Sequence, residues 1–335
     1  MKISDIRRYD SEKMYESYEK WPEIAQENYR KDLPKIQFRN IDHIVFAGVG
    51  GSGTVGDVIS SILSKTGIHV NVVKGYLLPK TVGPNTLVVT TSVSGNSKEA
   101  LSILHNAKKT KSKFVAFSSG GKMKKFSDKN NISYIQIPEI HSPRASFSCY
   151  LYSILNVLED VIPVNKTDVN KSISVLIDTK KKISSDNLTS SNPALSLAKW
   201  ISGIPIIYYP WGLHSAAIRF KNSLQENAKT HAFAEDIIES SHNAIVAWEK
   251  RSKIKPILII GKDDYTKTKE RWEVVKEFFQ HNKTQYKEIH SPNGSILTKL
   301  VNLIYLLDYS SIYRAVLSKT DPTPVKPIEF IKSRI

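Results

Sequence analysis

The sequence predicts an α/β protein of two lobes, each a mainly parallel β-sheet flanked by helices in an αβα sandwich. Three observations predict it. Short apolar runs rich in β-branched and aromatic residues alternate with stretches of helical length. That alternation occurs twice, on either side of a polar segment near the middle of the chain. At 335 residues, 40% of them hydrophobic, the chain has enough apolar material for two cores of ordinary size.

Residues 1–40, opening "MKISDIRRYDSEKMYESYEKWP", read as a polar, helical lead-in. In a first lobe over 41–160, buried strands are expected at His43–Gly48, His69–Gly75, Thr86–Ser92, Lys113–Ser119 and Ser133–Pro138. A helix is expected over Lys98–Lys109, where Leu101, Leu104 and Ala107 recur at spacings of three. The stretch "SPRASFSCYLYSILNVLED" offers Ser142 as a cap, Pro143 as the first helical residue, and then a long apolar helix. Residues 161–200 form a helical and polar joining region, its exposed part running from Asn165 to Ser191. In a second lobe over 201–335, strands are expected at Ile204–Tyr209, Asn243–Trp248, Pro256–Gly261 and Gln285–His290, before a final helix from Ile296 to Ser318. The loops that open the two lobes differ too much to establish an internal repeat.

A net charge of +16 invites a nucleic-acid reading. The densest basic runs, Lys108–Lys113, Gly121–Lys125 and Thr179–Lys182, lack interleaved aromatics and belong to no recognisable binding module. They read as solvated lysines, so no nucleic-acid partner is expected, although the charge would draw in anionic metabolites. No apolar stretch approaches the roughly 18 residues of a membrane span, and the opening residues lack the pattern of a signal peptide. The expectation is a cytoplasmic protein with no membrane partner. The single cysteine, Cys149, stands beside Tyr150 and Leu151 and reads as a packed core residue.

In "FAGVGGSGTVGD", Gly51, Gly53 and Gly56 fit G-x-G-x-x-G after a strand. A dinucleotide site also needs an acidic residue about 20 positions on, to hold the ribose. Here the second strand ends "VVKGYLL", with Lys74 and no carboxylate. What survives is a helix start with close backbone approach and free amides, which suits an anion. A second loop, "TTSVSGNSKEA", places Ser92, Ser94 and Ser97 after another strand and at another helix start. Loops at the carboxyl ends of parallel strands share one crevice, so both can face one phosphate. Hydrogen bonds to a charged group contribute about 1.5–3 kcal/mol each, so three or four anchor a phosphomonoester firmly.

"GGSGTVGD" followed by "SVSGNSKEA" resembles the sugar isomerase (SIS) domain family. With "PRASF" at Pro143, "QENAK" at Gln225, "SSHNA" at Ser240 and "DPTPVKPIEFIK" at Asp321, the chain is similar to the archaeal-type bifunctional phosphoglucose/phosphomannose isomerase branch over most of its length. Ser97 stands where the family usually has threonine, which keeps the hydroxyl. The resemblance implies that Gly50, Gly51, Ser52, Ser92, Ser94 and Ser97 hold the phosphate of a sugar 6-phosphate. It implies Glu226 as the base that moves a proton between C1 and C2, and Arg144 as the cation beside the enediolate. His242, with Lys332, would assist ring opening. Thr323 falls where the branch places a threonine linked to mannose chemistry. A homodimer with shared active sites is implied, the histidine coming from the partner, with no cofactor.

The residues themselves allow plainer alternatives. Arg144 would be a cation at a helix start, which is electrostatically unfavourable and therefore calls for a purpose. Glu226 lies about 180° from an apolar face of Ala217, Phe220, Leu224 and Ala228, the position of a solvated glutamate unless that side of the helix faces a cleft. His242 is isolated before an expected strand, and Lys332 is three residues from the last residue of the sequence, where fraying is ordinary. His231, Glu235, Glu239 and His242 have helical spacing, but a second ligand-bearing segment is missing and no metal is expected. The expected activity is the interconversion of fructose 6-phosphate with glucose 6-phosphate and mannose 6-phosphate through an enediolate. The alternatives are another SIS-family sugar-phosphate isomerase, or a non-catalytic sugar-phosphate-binding regulator, which would have no use for Glu226 or Arg144.

Overall fold

A computed structural model of the chain describes residues 1–334. The chain divides into two compact units, one formed by Lys20–Ile173 and the other by Met1–Glu19 together with Ser174 onward. The expected lead-in is therefore shared out, for reasons visible in its side chains. Helices α1 (Ile3–Tyr9) and α2 (Met14–Glu19) bury Ile6, Met14 and Tyr18 in the unit that contains the carboxyl-terminal half. Helix α3 (Trp21–Arg30) belongs to the other unit.

In the Lys20–Ile173 unit, the strands are β1 (His43–Ala47), β2 (His69–Val73), β3 (Thr86–Ser92), β4 (Lys113–Ser118) and β5 (Ser133–Gln136). They pair in parallel in the order β2-β1-β3-β4-β5. Central β1 and β3 are buried throughout, as near-continuous apolar runs require, whereas edge strand β2 is partly exposed. The connecting helices are α4 (Gly51–Leu63), α5 (Lys98–Ala107), α6 (Gly121–Lys129) and α7 (Phe147–Val157). Alternation along β1 sorts them onto two faces: Val45 and Ala47 pack with Ile103 and Ala107 of α5, while Phe46 points the other way, against Gly56 of α4. α3 seals α7, with the Trp21 indole donating to Ala145 O at 2.9 Å.

One expected boundary moves. The helix after β5 starts at Phe147 with Ser146 before it, not at Pro143 with Ser142 as its cap. Residues 142–146 form a turn closed by Ser146 N donating to Ser142 O at 3.0 Å and Ser146 Oγ accepting from Ile140 N at 2.8 Å. Arg144 therefore sits in a turn, and the helix-dipole argument for its oddity does not apply.

The polar stretch after 165 is mostly α8 (Lys166–Ile183), which runs from one unit into the other, and is followed by α9 (Pro193–Trp200), capped by the Asn192 side chain. The second sheet contains β6 (Pro205–Tyr209), β7 (Phe233–Asp236), β8 (Lys255–Ile260) and β9 (Lys287–His290), parallel in the order β7-β6-β8-β9. Its helices are α10 (His214–Glu226), α11 (Ile237–Ser240), α12 (Thr266–His281), α13 (Ile296–Leu317) and α14 (Lys326–Lys332). Ile206 and Tyr208 of β6 pack with Trp272, Val275 and Phe279 of α12.

Two expectations fail in this unit. Asn243–Trp248 is not a strand: Ala244–Glu249 form 3-10 turns that insert Trp248 into the core, its indole donating to Tyr208 Oη at 2.9 Å. The strand lies earlier, at β7, inside the stretch whose spacing looked helical. Asp236 ends that strand and caps α11, so His231, Glu235, Glu239 and His242 share no single helix.

Candidate active site

In the Lys20–Ile173 unit, two adjacent strands deliver two helix starts to one edge. Gly50, in a left-handed conformation (φ 58°), leads from β1 into α4, and Ser97 occupies the N-cap of α5 after β3. The loops meet closely because Gly48 lacks a side chain; a Cβ there would lie 2.9 Å from Thr91 O. Ser92 and Ser52 are buried, while Ser94 is exposed at the loop tip. Ser97 Oγ donates to Ser92 Oγ at 2.8 Å, and Ser94 Oγ accepts from Asn96 N at 3.3 Å. Hydroxyls and helix-terminal amides at the carboxyl ends of parallel strands are an arrangement that suits an anion.

The Arg144 turn abuts this edge. A Cβ on Gly51 would stand 2.7 Å from Pro143 O and 3.2 Å from Arg144 Cα, so the glycine loop and the turn touch backbone to backbone. Arg144 is 6% exposed. Lys74, the residue found where a ribose-binding acid would be needed, pairs with Asp57 of α4 at 2.7 Å. Cys149 is buried, and burial pushes its thiol up to about 12, which keeps it protonated and unreactive at neutral pH.

In the other unit, Glu226 is the last residue of α10 and is half-buried. Ala217, Phe220, Leu224 and Ala228 are all buried, as expected, and the opposite side does face a cleft. Glu226 lines a pocket of about 370 Å³ with Asn222, Gln225 and Lys229 on one side and Pro324, Val325, Pro327 and Ile328 on the other. Thr323 adjoins that second wall; its backbone N–H donates to Asp321 Oδ1 at 2.9 Å, and Asp321 Oδ2 accepts from Ser11 Oγ at 2.6 Å. His242 and Lys332 are exposed and do not line the pocket: the first lies in the turn after α11, the second ends α14.

A buried ion pair fixes the helix that carries Glu226. Arg219 reaches Asp308 of α13 through Nη2 at 2.7 Å and Nε at 3.0 Å, and the same carboxylate accepts from Ser223 Oγ at 2.6 Å and Tyr18 Oη at 3.2 Å. Burial works to lower the Arg219 pKa, but the charge of Asp308, with Tyr18 and Glu226, outweighs it and holds the guanidinium above its ordinary value. Asn227 extends the row, donating to Ser311 Oγ at 2.8 Å. Sequence reasoning missed Asp308 because it is one carboxylate in an apolar helix. It also missed Lys229, whose place inside "QENAK" was the available signal.

The chain is 31% identical to the bifunctional phosphoglucose/phosphomannose isomerase of Caldicellulosiruptor bescii, in an alignment covering 96% of this chain and 98% of that protein. The chain belongs to the bifunctional phosphoglucose/phosphomannose isomerase family. Residues 190–335 match the family model described as the bacterial phospho-glucose isomerase C-terminal SIS domain. Another relative of this isomerase-family chain is the D-glucosamine-6-phosphate 4-epimerase of Sulfolobus acidocaldarius, 29% identical over 72% of this chain and 76% of the epimerase. Among solved structures, a hypothetical protein from Thermus thermophilus superposes with a TM-score of 0.74, covering 99% of this chain and 92% of its own at 13% identity, so the fold is shared. No helix among the described residues of this family member is long and apolar enough to cross a membrane.

Proposed function

We propose that this chain interconverts fructose 6-phosphate with glucose 6-phosphate and mannose 6-phosphate through an enediolate. The observation that carries the proposal is Glu226, a half-buried carboxylate on a rigidly held helix, opening onto a pocket of sugar size. An aldose and its ketose differ by one proton moved between C1 and C2, so the chemistry needs an anchor, a base and a counter-charge. In this proposal the anchor is Gly50, Gly51, Ser52, Ser92, Ser94 and Ser97, holding the phosphate. Glu226 takes the proton from C1 of the ketose or C2 of the aldose and returns it to the other carbon. Arg144 stabilises the enediolate oxygens. His242 and Lys332 assist ring opening, the histidine reaching the site of a partner subunit in a homodimer, and Thr323 serves the mannose branch. Residues 41–160 and 201–335 are proposed as the two SIS-like domains. The proposed setting is the cytoplasm, where phosphorylated sugars are retained by their charge.

The test is turnover of fructose 6-phosphate with both aldoses followed by proton NMR. Formation of both is expected. Binding without turnover, or action on glucosamine 6-phosphate at C4 in its place, overturns the proposal. Anchoring is checked separately: Ser94→Ala should raise KM for fructose 6-phosphate by about tenfold to a hundredfold, the equivalent of one charged hydrogen bond. Unchanged kinetics in that variant remove the serine loop from the site.

A further inference from the structure

Pro324, Val325, Pro327 and Ile328 of the 321–332 segment form one wall of the Glu226 pocket, yet α14 has no buried residue, and Phe330 and Ile331 are mostly exposed. Two polar anchors of this segment are Ser11, which donates to Asp321, and Lys229. The Lys229 backbone is left-handed (φ 52°), uncommon for a residue other than glycine, and its side chain folds back over the end of α10. There Nζ donates to Glu226 O at 2.7 Å and Asn227 O at 3.4 Å, and also to Asp321 O at 3.0 Å and Pro322 O at 3.3 Å.

A lysine that only capped a helix would satisfy the last carbonyls of that helix and stop there. Here one ammonium joins the carbonyl of Glu226 itself to the carbonyls of Asp321 and Pro322, which lie 92 and 93 residues beyond Lys229 in the chain. We propose that Lys229 is a positioning residue, a latch that holds the 321–332 segment against the end of α10 and so sets the width of the pocket Glu226 lines. The proposal rests on Glu226 being the base. The latch acts through geometry: its ammonium is directed at four backbone carbonyls, and the proposed phosphate-binding loops belong to the other unit. Its loss therefore affects the chemical step more than substrate capture, since a base displaced by about 1 Å costs up to about a hundredfold in rate.

The experiment compares the whole chain with Lys229→Met and Lys229→Arg by hydrogen exchange and by steady-state kinetics with fructose 6-phosphate. In Lys229→Met, amides of residues 321–330 should exchange about tenfold faster or more, with α13 unchanged. Its kcat should fall about tenfold to a hundredfold with KM within about twofold. Lys229→Arg, which keeps a cationic donor, should recover much of both. Unchanged exchange over 321–330, or acceleration spread equally over α13, overturns the latch. Faster tail exchange with unchanged kcat overturns its positioning role. A Glu226→Gln variant run alongside separates the two ideas: if it stays active, the assignment of the base fails, while the exchange data still decide the latch.

Discussion

Glu226→Gln should lose about 10² to 10⁴ in kcat for both aldose products together, with KM for fructose 6-phosphate little changed. Glutamine keeps the shape and the hydrogen-bonding carbonyl but cannot accept the proton. Glucose and mannose 6-phosphate differ only in the face of C2 that receives it. In the proposed mechanism the phosphate stays anchored while rotation about the C2–C3 bond presents either face of the planar enediolate to one base. The measurement is turnover of fructose 6-phosphate in deuterated water, with label followed at C2 of each aldose. Both labelled products should disappear in step. Loss of one product alone would require a second base, and full retention of both would dismiss Glu226.

Asp308→Ala should destabilise the carboxyl-terminal unit by about 3–5 kcal/mol. The substitution removes the carboxylate that pairs with the Arg219 guanidinium, 3% exposed, and takes one acceptor from each of the Ser223 and Tyr18 hydroxyls. The readout is the urea midpoint followed by a probe in that unit. The companion variant is Arg219→Met combined with Asp308→Leu. Removing both charges and filling the space with apolar atoms should recover most of the loss, because a buried ion pair adds little net stability over a well-packed apolar replacement. A single variant as stable as the wild type would mean that water reaches Arg219.

The central strands of the first sheet were legible because they are buried on both faces, and β-branched runs such as "TLVVTTS" have few other uses. The helix and cap signals around Ser97 were legible for the same local reason. Phe233–Asp236 was not, since "FAED" has neither alternation nor β-branching and becomes a strand only through pairing with β6. Asn243–Trp248 failed in reverse: an apolar run that looks like a strand turns instead to insert one indole into the core. At the candidate site, the glycine and serine loops and the solvent-side placement of Glu226 could be read from spacing. The contact between Gly51 and the Arg144 turn and the reach of Lys229 to Asp321 and Pro322 could not, because they join residues about 90 apart in the chain.

The division of the first 40 residues has a consequence for how the protein is made. Met1–Glu19 leave the ribosome ahead of everything they pack against: Tyr18 bonds Asp308, and Glu19 accepts from both Tyr309 Oη at 2.6 Å and Ser185 N at 2.8 Å. The Lys20–Ile173 unit is continuous and can fold while the rest is still being synthesised. The opening nineteen residues must wait, unfolded, until α13 emerges to receive Ile6, Met14 and Tyr18. Expressing Ser174 onward alone would omit a piece of its own core, the side chains of Ile6, Met14 and Tyr18.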